Sequence, residues 1–161
     1  TRRSSDLMRQ RISRHSLLLM LLCVALLAGC ASAPQPRKTT LGERIAAEAL
    51  AQTGRPYRYG GSTPEGFDCS GLVRHAHLAA GIDVPRTTTG QFQAARSIRW
   101  NKLAPGDLLF FRIDSREVTH VAIYTGNRRF VHAPQSGKSV ETRTLDDAWY
   151  ADRLVGAGRL F

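Results

Sequence analysis

The sequence predicts an α+β domain, and three observations lead there. Apolar residues in the first half of residues 41–161 recur at helical spacing. Those in the second half gather into short runs rich in β-branched and aromatic residues. The turn Pro105-Gly106-Asp107 separates the two regimes. Helices first and strands afterwards favour N-terminal helices packed on a five- to six-stranded antiparallel sheet. Leu41, Ile45, Ala49 and Leu50 share a helical stripe, so residues 41–53 form a first helix that stops at Gly54. Residues 54–66, rich in Gly, Pro and Tyr, read as a loop. Asp68 can cap a second helix running to residue 80 and ending at Gly81. Residues 89–96 form a short third helix. Strands are expected at 108–111, 120–124, 129–133, 139–143 and 154–160, with a short helix at 146–150. Thr125-Gly126-Asn127-Arg128 supplies a hairpin turn between the second and third strands.

Composition narrows the classes. The 161 residues are 42% hydrophobic and 22% charged, which permits a core and excludes wholesale disorder. Only one stretch is continuously apolar, so a multi-span membrane protein is excluded as well. Arg2, Arg3, Arg9, Arg11 and Arg14 precede the apolar run at 17–28, the pattern of a secretory signal over residues 1–29. The run ends in Leu27-Ala28-Gly29-Cys30, which resembles the lipobox of bacterial lipoproteins. That resemblance implies cleavage before Cys30, a lipid on its sulfur and, with Ala31 following, an outer-membrane address facing the periplasm. Residues 30–40 then form a flexible tether. The plainer alternatives are an uncleaved anchor or an ordinary signal.

Without residues 1–29 the chain keeps 18 basic and 12 acidic side chains, a net charge of +6. Nucleic acid is the reflex partner for such a balance. It is excluded here by compartment and by the dispersal of the arginines. A polyanionic envelope polymer, a membrane surface and mere solubility all fit the charge. No cofactor is expected.

Of three cysteines, Cys23 falls in the discarded segment and Cys30 is claimed by lipid, leaving Cys69 alone in the domain. A lone thiol in an oxidising compartment is a buried hydrophobe or is kept for its reactivity. Cys69 opens the second helix, where unpaired N–H groups and the helix dipole favour a thiolate. His120 and His132 lie on the two strands flanking the hairpin turn, so both rings can project from one face. A nucleophile, a base and a group that orients the base are thereby available. His75 and His77, in the second helix with no ligand motif, read as surface histidines. Trp100, Trp149, Phe92 and Phe130 read as core.

Asp68-Cys69-Ser70-Gly71, Pro105-Gly106-Asp107, His120-Val121-Ala122-Ile123-Tyr124 and His132-Ala133 together resemble the NlpC-type, papain-like cysteine peptidases of bacterial cell walls. Tyr57-Arg58-Tyr59-Gly60-Gly61 and Pro85-Arg86-Thr87 are similar to segments of that family too. The resemblance spans residues 41–161 and extends to the murein endopeptidase lipoproteins of the Spr type. It implies a papain-like fold, with Cys69 as nucleophile, His120 as general base and His132 as the residue that orients it. It further implies Tyr57 beside the thiol, binding substrate or oxyanion, and Asp68 and Ser70 bordering the substrate cleft. Asp68 has the competing reading of a simple helix cap. The implied activity is hydrolysis of peptidoglycan stem peptides or cross-links by a monomeric enzyme. Three alternatives stand beside it: a zinc site made of Cys69, His120 and His132, a non-catalytic wall-binding lipoprotein, and an acyltransferase on the same scaffold. The long spacing between the three residues argues against zinc, and the intact set argues against a mere adaptor.

Overall fold

The computed structural model describes residues 38–161. The expected signal, Cys30 and most of the tether lie outside the described residues. Among those described, no helix is long and apolar enough to cross a membrane.

Helix α1, Leu41–Ala51, starts at a reciprocal cap: the Glu43 N–H donates to Thr40 Oγ1 (3.2 Å) and the Thr40 N–H to Glu43 Oε2 (2.7 Å). Ile45, Ala46 and Ala49 are buried, whereas Leu50 of the expected stripe is exposed, lying about 100° round from Ala49. The 54–66 segment is not a plain loop. Strands β1 (Ser62–Thr63) and β2 (Gly66–Phe67) pair antiparallel there and bury Phe67 completely. Helix α2, Cys69–Ala79, follows immediately, capped by Asp68, and packs against α1. Helix α3 covers Thr88–Ala94, capped by Thr87.

The sheet contains β3 (Arg96–Ser97), β4 (Leu108–Phe111), β5 (His120–Gly126), β6 (Arg129–His132), β7 (Glu141–Thr144) and β8 (Leu154–Arg159), with the one-turn helix α4 (Ala148–Ala151) before the last. Spatial order is β3-β8-β4-β5-β6-β7, antiparallel throughout. The five expected strands are present. The sixth, β3, is two residues long and so carries no alternation by which a sequence could reveal it. Between β5 and β6, Asn127 and Arg128 take φ of +49° and +59°, the positive values a type I′ hairpin turn demands.

Alternation distributes the core over both sheet faces. Leu108, Phe110, Val121, Ile123 and Val131 face α1 and α2. Leu109, Phe111, Ala122 and Phe130 face the other way and pack with Tyr150 of α4 and Ala157 of β8. Asp107, fully buried before β4, receives two hydrogen bonds from Arg159 (2.6 and 2.9 Å) and one from the Ala104 N–H. That arrangement ties the Pro-Gly-Asp turn to the C-terminal strand.

Several side chains depart from expectation. His77 is not at the surface: it is fully buried, its Nδ1 2.8 Å from the Val73 carbonyl. His75 lies 3.1 Å from Glu48, a carboxylate that α1 brings across from another part of the chain. Phe130 is core, but Trp100, Trp149 and Phe92 are more than two-fifths exposed. Both tryptophans sit on one-turn elements, which offer no extended face to cover an indole; Trp149 is instead capped by the Arg153 guanidinium at 4.3 Å.

Candidate active site

Cys69 is placed by the cap that starts α2. Asp68 Oδ1 accepts from the Gly71 N–H at 2.7 Å, and Asp68 Oδ2 accepts from the Gly60 N–H at 2.9 Å. Arg86 closes on the same carboxylate with both terminal nitrogens, at 2.9 and 2.7 Å, and also donates to Ser70 Oγ and the Gly61 carbonyl. Ser70 is itself buried and donates to Asp68. Burial alone would raise the Asp68 pKa, but the Arg86, Gly71 and Gly60 bonds outweigh it and hold the carboxyl below its ordinary value. Asp68 is thus a cap and an anchor whose oxygens are already engaged. Buried Gln91 adds a further tie, its Nε2 donating to the Ser70 and Pro85 carbonyls.

The thiol opens into a cavity of about 410 Å³ that Tyr57, Tyr59, Arg86, Thr88 and Thr119 help to line. Cys69 Sγ is 3.5 Å from Thr88 Oγ1 and accepts a hydrogen bond from the Val121 N–H. Thr119 and Val121 flank His120, so the start of β5 is held against the thiol. Tyr57 lines the same space, and its hydroxyl pKa is raised first by burial and then by the nearby Cys69.

His120 and His132 meet on one sheet face. The pairing of Ile123 with Val131 carries His132 opposite Ala122, two residues along from His120. His120 Nε2 lies 2.8 Å from His132 Nδ1, with the rings edge-on at 80°. Phe111, Phe130 and Tyr150 wall them in. With Nε2 engaged by His132, Nδ1 is the His120 nitrogen left outside that contact. Burial lowers the His120 pKa strongly, with the neighbouring His132 adding to it. Burial and then the Arg143 charge do the same to His132. Both rings are therefore neutral at neutral pH. Burial likewise pushes the thiol up, by more than the Thr88 and Val121 hydrogen bonds lower it. The thiolate expected from the helix N-terminus is opposed by desolvation, which favours the protonated thiol at this depth.

Tyr57, Asp68, Cys69 and Ser70 thus surround one cavity, and His120 and His132 line a second of about 310 Å³ beyond the β5 strand start. Among the described residues, no three His, Cys, Asp or Glu side chains form a candidate metal-ligand group. Sequence reasoning missed Arg86 as the Asp68 partner, Gln91 and Thr88. It also missed Glu141 and Tyr150, which lie 3.6 and 3.4 Å from His132 Nε2. No local pattern marks these residues, because sheet register and loop path bring them in.

Comparison with known proteins agrees with this architecture. The chain is 41% identical over 121 residues to the bifunctional muramidase/DL-endopeptidase CwlT of Bacillus subtilis, covering 73% of this chain and 36% of the relative. It is 39% identical over 116 residues to the murein DD-endopeptidase MepH of Escherichia coli, covering 69% and 43%. The chain therefore spans less than half the length of these two relatives. Among solved structures, the NlpC/p60 domain of the peptidoglycan hydrolase SagA superposes with a TM-score of 0.64 at 38% identity, over 73% of this chain and 97% of that one. An NlpC/P60 family protein from Bacillus cereus gives 0.71 at 31% identity, over 76% and 41%. The fold is the papain-like one expected, and the family model matches residues 54–159, from the loop before β1 to the last residue of β8. By sequence, by fold and by the segments that surround Cys69, the chain belongs to the NlpC/P60 family.

Proposed function

We propose that this chain is a cysteine endopeptidase that hydrolyses amide bonds in peptidoglycan stem peptides or cross-links, with Cys69, His120 and His132 as its triad. The observation that carries the reading is the 2.8 Å His120–His132 contact at the start of β5, held against the helix terminus that bears the lone thiol. Relatives named as a murein endopeptidase and a peptidoglycan hydrolase support the substrate class.

The resting pair is thiol and neutral imidazole. His120 Nδ1 takes the Cys69 proton as sulfur attacks the scissile carbonyl carbon, and the carbonyl oxygen becomes an oxyanion. Backbone N–H groups at the α2 terminus, with the Tyr57 hydroxyl, stabilise that charge. Collapse breaks the C–N bond while His120 passes its proton to the leaving amine, leaving a thioester. Water then attacks the thioester and gives its proton to His120; carboxylate leaves, and sulfur recovers the proton. His132 accepts from His120 Nε2–H throughout and keeps the ring oriented. Asp68 and Ser70 act by fixing the cleft wall, since both are already bonded to Arg86. Cys69→Ala should lower muropeptide release from purified peptidoglycan by about 10⁴-fold or more, with secondary structure unchanged. Release at the wild-type rate would refute the reading.

The lipobox-like segment supports a lipidated Cys30 that tethers the domain to the outer membrane from the periplasmic side, with residues 31–40 as spacer. Membrane fractionation of wild type and Cys30→Ala tests this. Equal amounts of both in the soluble fraction would count against the anchor.

A further inference from the structure

We infer that Glu141 is a positioning residue that sets the direction of the proton relay, by fixing which nitrogens of His132 and His120 carry hydrogen. The inference rests on the triad reading and extends it by one group. Glu141 is the cross-strand partner of His132 in the β6–β7 ladder, so the two side chains share a face. Its Oε1 is 3.6 Å from His132 Nε2, and the same oxygen accepts from Arg143 Nε at 2.8 Å. Arg143 therefore holds the carboxylate in place.

An ionised carboxylate can only accept. Facing His132 Nε2, it favours a hydrogen there and disfavours a lone pair. A neutral imidazole has one N–H, and both rings here are buried and neutral. With hydrogen on Nε2, His132 presents a bare Nδ1, which must accept from His120 Nε2 across the 2.8 Å contact. His120 then has its lone pair on Nδ1, the nitrogen left for the thiol. The reverse polarity would put hydrogen on His120 Nδ1, and that ring could not take the Cys69 proton.

The competing group is the Tyr150 hydroxyl, 3.4 Å from the same His132 Nε2. As a donor it would impose the reverse polarity. A hydroxyl can turn to donate or accept, whereas the carboxylate cannot, so Glu141 decides and Tyr150 accommodates. Two further acids line this cavity: Asp147 of the α4 cap, engaged with the Trp149 N–H, and Asp114.

The test uses the full chain labelled with ¹⁵N-histidine and reads each ring's tautomer from long-range ¹H–¹⁵N spectra at neutral pH, beside kcat and KM on peptidoglycan fragments. Wild type should show Nε2–H on both His120 and His132. Glu141→Ala should lose that state at His132 and lower kcat about 10–100-fold, the usual effect of removing a group that orients a functional histidine, with KM little changed. Glu141→Gln keeps an oxygen that Arg143 can hold toward His132, and should restore the tautomer and most of kcat. Retention of Nε2–H on both rings in Glu141→Ala, or a wild-type kcat in that variant, overturns the inference. Because the tautomers are read without turnover, this failure is distinct from failure of the triad, which an active Cys69→Ala would reveal.

Discussion

Cys69 and His120 are both driven toward their neutral forms by burial, the reverse of what a thiol at a helix N-terminus suggests in isolation. These directions have consequences for pH. A base must be unprotonated to accept the thiol proton. Since the His120 pKa is lowered, its neutral form persists below the ordinary imidazole value of about 6.5. The acid limb of kcat/KM should therefore fall below that pH, and a limb above it would contradict a neutral resting pair. The thiol pKa is raised, so iodoacetamide labelling of Cys69 in free enzyme should be slow at neutral pH and climb only above about 8.5. Fast alkylation at pH 6 would instead identify a resting thiolate–imidazolium pair.

The first turn of α2 depends on how closely it approaches the preceding loop. A Cβ on Gly71 would lie 1.9 Å from the Gly61 carbonyl oxygen and 3.0 Å from Asp68 Oδ1. Both neighbours belong to the capping network, so neither can yield without moving the Arg86 clamp or the turn that carries Cys69. Gly71→Ala should cost about 1–3 kcal/mol, the usual range for forcing extra volume into a packed site, and should reduce turnover as the thiol shifts. Urea unfolding with a parallel activity assay checks both, and a stability within 0.5 kcal/mol of wild type, as for an ordinary surface substitution, would contradict the close approach. The motif was legible in the sequence as a helix start with a capping Asp. What the glycine avoids was not, because Gly61 is ten residues away along the chain and is returned by the β1–β2 hairpin.

Across the whole domain, His77, His120 and His132 are all buried with lowered pKa values. In the unfolded chain each protonates near pH 6.5, whereas in the folded domain each resists until lower pH. Below that pH the unfolded state binds more protons, so stability is fully present above about 6.5 and is lost as pH falls toward the folded values. His120 and His132, both lowered to about 3, give a slope approaching about 2.7 kcal/mol per pH unit, at about 1.36 kcal/mol for each proton, and His77 acts in the same direction. Against a typical total of about 5–15 kcal/mol, the domain should unfold well before its carboxylates titrate. Urea midpoints measured from pH 7 to pH 5 should drop steeply, and a flat profile would show that the imidazoles are not held neutral.

By itself the sequence determined the order and type of the main elements, a thiol at a helix start and the two histidines on neighbouring strands. Those features follow from periodicity, capping and turn chemistry, all of which act between residues a few positions apart. Tertiary structure alone decided that the thiol is pushed toward its protonated form, because desolvation depends on everything packed around it. It also decided that Asp68 is occupied by Arg86, 18 residues on. His77 goes inside against the expectation of a surface position, and Glu141 arrives opposite His132 only through the β6–β7 register. Burial and register are properties of the assembled sheet and helices, and no local stretch of chain encodes them.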